Sequence, residues 1–542
     1  MMPRLGHGTA ITLEELREAR NAFVGPTRDL RLGFAAVRPV DLQDFDFLFP
    51  DLQNDPANLL PVAPQTVNNL TRLGRTMLID PLVPSNGDAN IPAAYTYLGQ
   101  FVDHDITLET VSASLPALLD PNLTPLALND IRATIRNLRN PTLDLDSVYG
   151  LPAPRDPARP AKMQVGLVTA LGQNQKPALR PPNKGDDNDL PREGRSSVDT
   201  HDRAALIGDP RNDENTIVAQ LHVAFLKAHN ALVDQGRNFR QAQRLLRQHY
   251  QHIVIHDFLK KRIADPQIVD RILQHGNRVY DALAEPFFLP LEYAVAAYRF
   301  GHSMVRARYD FNLNFNTSGE PQTFPATLDL LFTFTAISGE LGGGVVTEEG
   351  FDTLPENWII EWENFVDTGV PFNKARLIDT KLVEPLAHLT NFKGVEELGD
   401  GARLAVRNLL RGYLLRLPTG QAVAGALGLA PLTPAEIEAV ATAVQAPSGQ
   451  ERQVDVLREA GFLNRTPLWY YILAEAAARA GGQHLGPVGS TIVAEVLIGL
   501  VRRSSDSILR HRHWTPSLPS AQPGTFELSD LLRFAGVLPS RR

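Results

Sequence analysis

Cysteine is absent from all 542 residues. That single absence excludes disulfides, thiolate metal sites, iron–sulfur clusters and cysteine nucleophiles. It does not fix a compartment, because a large core is stable without disulfides. Long hydrophobic runs are missing too. The most apolar helical stretch, residues 491–501, is short and carries Glu495, so no membrane span is expected. The N-terminus, MMPRLGHGTAITLEELREARNAF, lacks the apolar run of a signal peptide, so the chain reads as soluble, either cytoplasmic or exported by a leaderless route. Charge of one sign is also lacking. The 53 basic and 61 acidic residues leave a net charge of −8, and the basic ones are scattered, which excludes the basic stripe of a nucleic-acid binder. No internal repeat, low-complexity tract or run of alternating strands is found.

What the chain has is ordinary globular composition, 43% apolar and 21% charged, enough to bury a sizeable core. Helical patterns dominate. Thr12 and Glu15 resemble a capping box opening a helix to Phe23. Only short helical pieces are expected from there to about Pro92. Helices are predicted over 95–111, 213–236, 239–263 and 291–305, with four or five more between 379 and 535. Residues 150–208 and the strip near 345 are rich in loop formers. The fold class is therefore mainly α: one large helical domain over 93–542 with long loops, and an irregular N-terminal arm over 1–92.

The most informative segment is Tyr97-Leu98-Gly99-Gln100-Phe101-Val102-Asp103-His104-Asp105. On a helix Gln100, Asp103 and His104 share one face, and Asp105 points about 100° away. Polar groups in an apolar helix are costly without partners; the bland alternative is a satisfied buried His–Asp pair. Further on come Gly208-Asp209-Pro210-Arg211-Asn212-Asp213-Glu214-Asn215, Tyr298-Arg299-Phe300-Gly301-His302-Ser303-Met304, and Leu404-Ala405-Val406-Arg407-Asn408-Leu409-Leu410-Arg411. The first two of these alone have a structural reading: an exposed helical turn with a routine Arg–Glu pair, and a core histidine.

Together, in this order, the four segments resemble the motifs of the animal-type haem peroxidase superfamily, over about residues 95–425. The resemblance implies a helical haem-peroxidase domain binding haem b and calcium, with hydrogen peroxide and small anionic or aromatic reductants as substrates. It makes His104 the distal acid–base, Arg211 the distal arginine and Gln100 the residue ordering water, peroxide or a halide. Asp103 and Glu214 stand at the two haem-esterification positions. His302 is the iron ligand, Asn408 accepts its imidazole N–H, and Arg299 and Arg411 are placed for the propionates. In Asn140-Pro141-Thr142-Leu143-Asp144-Leu145-Asp146, residues 142, 144 and 146 point one way if the segment is extended, giving hard oxygen donors suited to calcium. The resemblance adds Asp105 and backbone oxygens of Asn140 and Thr142. Two departures are Asp146 where a hydroxyl residue is common and Asn140 where threonine is common. A third is Asn215, where some members carry a methionine that forms a sulfonium link to haem. Two other readings are weighed. A fatty-acid dioxygenase of the superfamily needs a tyrosine three residues before the proximal histidine, where this chain has Arg299, with Tyr298 one residue further back. A non-catalytic haem-binding scaffold has no use for His104 and Arg211.

Overall fold

The computed structural model describes residues 11–12, 43–79, 87–111, 114–150, 152–172, 180–195, 203–317, 323–335, 341, 350–389, 398–444, 446 and 449–540. Helices of α, 3-10 and π type dominate among them, and no strand exceeds five residues. The seven longest α-helices are α1 (Pro64–Thr76), α2 (Ala94–Ile106), α3 (Thr216–Asp234), α4 (Phe239–His252), α5 (Leu404–Leu414), α6 (Leu468–Ala480) and α7 (Pro487–Arg503). None is long and apolar enough to cross a membrane.

α2 and α3 form the centre. Phe101 of α2 stacks on Phe225 of α3 with ring centroids 4.7 Å apart, and Tyr250 of α4 closes edge-on against both rings. Such aromatic pairs add about 0.5–1.5 kcal/mol each beyond the area they bury. α3 begins where the Asn215 side chain accepts the Val218 N–H, and α4 begins on an Asn238–Gln241 capping box. α1 packs across α5 so closely that a Cβ on Gly74 would lie 2.7 Å from Val406 Cγ2. The N-terminal region is therefore not limited to short helical pieces.

Several boundaries differ from the sequence expectation. α2 ends at Ile106, not near Val111. Thr107 turns its hydroxyl back to Asp103, and Thr110–Val111 leaves as a strand paired in parallel with Ile11–Thr12. Thr12 is thus in a strand; the rest of the helix expected up to Phe23, and most of the loop near residue 345, lie outside the described residues. The helix expected over 239–263 is α4 followed by a π-helix, Ile253–Ile263. The segment expected over 291–305 is a π-turn, Glu292–Ala296, leading into a 3-10 helix, Ala297–Met304. Seven α-helices, not four or five, lie between residues 379 and 535. Glu495, which interrupts the apolar run of α7, is a buried acceptor for Asn277 Nδ2 and the backbone N–H groups of Arg278 and Tyr280.

Candidate active site

α2 delivers Gln100, Asp103 and His104 to one side, and a 3-10 turn, Pro210–Asp213, brings Arg211 and Asn212 against it. Arg211 and Glu214 therefore sit on that turn and just after it, ahead of α3 and not on its first turn. The buried His104 donates through Nδ1 to Asn212 Oδ1 at 2.9 Å, and Asn212 Nδ2 in turn donates to His222 Nδ1 at 3.0 Å. That chain fixes the His104 tautomer and leaves Nε2 as the basic nitrogen, 3.7 Å from Glu214 Oε1. Burial, reinforced by the Arg211 charge, lowers the His104 pKa below its ordinary value, so the ring is neutral at neutral pH. Gln100 donates to Glu214 and accepts from Asn215 Nδ2 at 3.1 Å.

Arg211 is anchored through Nε and one terminal nitrogen. These bind the Asp209 carboxylate (3.1 and 2.7 Å) and the carbonyls of His104 (3.1 Å) and Thr107 (2.5 Å). Its other terminal nitrogen makes no hydrogen bond among the described residues and remains available as a donor. Burial pushes the Asp209 carboxyl up, but Arg139 and Arg211 outweigh it and hold the pKa far below the carboxylate range.

On the opposite side the 3-10 helix carries Arg299 and His302 three apart, which eclipses them on one face. Asn408 of α5 meets His302 Nδ1 at 2.9 Å. Here the sequence expectation is altered: the amide is placed with Nδ2 toward the ring, so it donates, while Oδ1 receives Arg299 at 3.4 Å. A metal on His302 Nε2 requires Nδ1 to carry the proton, and a half-turn of the amide makes Oδ1 its acceptor. Beside His302, a Cβ on Gly301 would meet nothing within 4 Å, so open space adjoins the ring.

Arg299 and Arg411 do not stand idle. Both converge on Glu109, Arg411 through a two-nitrogen grip and Arg299 at 3.9 Å. Two cations share one carboxylate. Burial lowers the Arg299 pKa, Glu109 only partly offsets this, and Arg411 lowers it further. A buried site with surplus positive charge favours another anion, and a haem propionate fits that chemistry. With the open flank of His302 and the carboxyl groups of Asp103 and Glu214, the residues present fit haem.

The structure also brings Asp105, Asp144 and Asp146 together, with one carboxylate oxygen of each within 4.8 Å of the others. Asp105 accepts the N–H groups of Leu145 and Ser147, both at 3.2 Å. Asp144 Oδ1 and Asp146 Oδ1 are buried without hydrogen-bond partners. Burial raises all three pKa values, Asp105 to about 6, and for Asp105 and Asp146 the neighbouring carboxylates add to the rise. Asn140 Nδ2 donates to Asp144 Oδ2 at 2.9 Å, and the Asn140 carbonyl accepts the Thr142 N–H. Neither observation makes Asn140 or Thr142 a ligand.

Residues 130–342 match the family model for animal haem peroxidase. That match covers less than half of the chain. The chain is similar to the peroxidase-like protein of Margaritifera margaritifera, 28% identical over 257 residues, which are 40% of this chain and 32% of that protein. It is also similar to heme peroxidase 2 of Caenorhabditis elegans, 27% identical over 263 residues, 40% of this chain and 35% of that one. The chain thus spans about a third of these curated relatives. Peroxidase A from Dictyostelium discoideum shares the fold, with TM-score 0.51 and 15% identity over 87% of this chain and 89% of that one. Arg211, Glu214, Arg299, His302 and residues 140–146 lie inside the family match; His104 and Asn408 lie outside it and are joined to the site by geometry. Sequence reading missed Asn212, His222, Asp209 and Glu109. Asn212 and Asp209 lay inside a quoted motif, but nothing in that motif signalled their roles.

Proposed function

We propose that this chain is a haem-dependent peroxidase that reduces hydrogen peroxide and oxidises iodide, thiocyanate, bromide or phenolic donors. The observation that carries the reading is the neutral, tautomer-locked His104 facing one side, with an Asn408-backed His302 facing the other. Haem would be held by His302 and by Asp103, Glu214, Arg299 and Arg411, and would supply a redox-active iron. His104 Nε2 takes the proton from the inner oxygen of peroxide and returns it to the outer one. The free terminal nitrogen of Arg211 stabilises the charge that develops on the departing oxygen. Gln100, held between Glu214 and Asn215, orients water or a halide. Two electrons from the donor and two protons convert one peroxide into two molecules of water.

Asp105, Asp144 and Asp146 form the core of a calcium site, because three converging carboxylates with two unpartnered buried oxygens call for a hard cation. Backbone oxygens of Asn140 and Thr142 complete it. Asp103 and Glu214 each form an ester to a haem methyl, with peroxide as the oxidant. No third link forms, since the Asn215 side chain is an amide that caps α3 and contacts Gln100. Without a sulfonium bond the haem is a weaker oxidant, so chloride is a poor donor.

The test is the absorption spectrum and peroxide-dependent iodide oxidation of the haem-loaded protein beside His302→Ala. The variant is expected to lose haem or its ferric peroxidase spectrum. A fully occupied, spectrally unchanged variant removes the proximal assignment. Mass spectrometry of haem peptides and halide-dependent turnover check the rest: two esters and poor chloride oxidation are expected, whereas efficient chloride turnover or fully extractable haem after peroxide treatment contradicts the assignment of Asp103, Glu214 and Asn215.

A further inference from the structure

A second cluster of imidazoles lies on α4 and the π-helix that continues it. His249, His252 and His256 follow one another down this surface, and Trp514 packs on the first two, 5.5 Å from the His249 ring and 5.6 Å from that of His252. His249 is fully engaged. Its Nδ1 donates to the Leu245 carbonyl at 2.7 Å, and Nε2 accepts the N–H groups of Ser517 and Leu518 at 3.0 and 3.1 Å. It is the anchor of the 511–518 segment and has no lone pair to spare. His252 and His256 differ: neither ring makes a hydrogen bond among the described residues, and their centroids lie 4.4 Å apart with planes at 38°.

Two imidazoles one helical turn apart, neither with a protein hydrogen-bond partner, face each other here. Two imidazoles on adjacent corners of a square-planar ion, with metal–nitrogen bonds of about 2.0 Å, have centroids roughly 4.5 Å apart; a tetrahedral ion spreads them to about 5 Å. The observed 4.4 Å places the two rings within reach of one shared ion. His252 is the last residue of α4 and His256 lies in the π-helix, whose wider winding brings residues four apart nearly into line.

We infer that His252 and His256 form a bidentate site for a divalent copper ion, separate from the haem and the three-carboxylate cluster. Copper(II) heads the affinity order for nitrogen ligands and takes square-planar geometry. Burial keeps both rings neutral, His252 at a pKa of about 3, so their lone pairs are available at neutral pH. The charged groups that act on His256 are Lys260 and Asp270, which pair with each other at 2.6 Å and so nearly cancel. His256 is half-buried and gives the ion access. The exposed His511 and His513 flank the turn that seats Trp514 on His252, and water or these side chains fill the remaining corners.

The experiment titrates Cu2+ into the full-length, calcium-saturated protein at pH 7.4, reading calorimetry, tryptophan fluorescence and electron paramagnetic resonance. Expected are one tight equivalent, superhyperfine splitting from two imidazole nitrogens and quenching of Trp514. His252→Gln and His256→Gln each weaken the site tenfold or more, and Trp514→Phe keeps the binding but loses most of the quenching. Zn2+ binds more weakly than Cu2+. A resonance spectrum of the unaltered protein without imidazole coupling overturns the inference. So does an affinity within twofold of the parent in either glutamine variant, or tighter binding of Zn2+ than of Cu2+.

Discussion

His104 works as a base only if Nε2 lacks the proton, and two residues that never touch substrate decide this. Asn212 Oδ1 accepts the hydrogen bond of the Nδ1–H across a separation of 108 residues, and His222 Nδ1 accepts from the Asn212 amide in turn. That Arg211 comes against His104 and Asn408 against His302 was legible in sequence, because polar residues at helical spacing inside apolar segments are few and the motifs follow in order. The tautomer lock was not legible, nor was the sharing of Glu109 by two arginines, one of them 302 residues distant. Each depends on a contact between segments that neither local spacing nor residue type encodes. Arg211 shows the same limit: its hold on Asp209 and on two α2 carbonyls leaves a single terminal nitrogen for catalysis. His104→Ala and Arg211→Ala should retain haem but react with peroxide ~10²–10⁴-fold more slowly, the usual contribution of a positioned acid–base or charge-stabilising group. Stopped-flow rates within twofold of the parent would remove both distal assignments.

At the scale of elements, helix existence followed from periodicity, while winding and ends did not. The apolar pattern of 239–263 is continuous, yet the helix changes from α to π winding at Ile253. Likewise Leu108 and Val111 extend the apolar pattern of α2, but Thr107 stops it. That early stop has a consequence. Asp105 sits in the last turn of α2, beside His104, and its carboxylate reaches Leu145 and Ser147 in the 140–150 segment. Without a cation the three carboxylates repel, so calcium should stiffen the end of α2 and the segment together. Asp105→Ala is therefore expected to lose bound calcium by elemental analysis and most of the rise in Tm that calcium gives the parent. Because the substitution also relieves repulsion, the calcium-free Tm should fall much less. An unchanged calcium content would mean that residues 140–146 are an acidic turn only.

At the scale of the whole molecule, the N-terminal strand region is tied to the proximal side by one buried carboxyl. Glu292 opens the π-turn ahead of His302, and its oxygens accept the N–H groups of Leu48 (2.7 Å) and Phe49 (3.2 Å). The same junction is reinforced where Asp44–Asp46 pairs in parallel with Phe288–Pro290. Burial pushes the Glu292 pKa up to about 7 from an ordinary 4.5, with the two N–H donors only partly opposing it. The folded state therefore holds this proton more tightly than the unfolded chain does. Its contribution to stability is complete below about pH 4.5 and is lost as pH rises through about 7, where the folded carboxyl also ionises. One pKa unit is worth about 1.4 kcal/mol, so the loss across this window is on the order of 3 kcal/mol. Glu292→Gln removes the titration while keeping an oxygen acceptor. Measured by denaturant unfolding between pH 4.5 and 8, the parent should lose stability relative to the Gln variant by about that amount. A difference between the two proteins that stays constant across the range would show that Glu292 does not couple protonation to the closure of the N-terminal region on the proximal side.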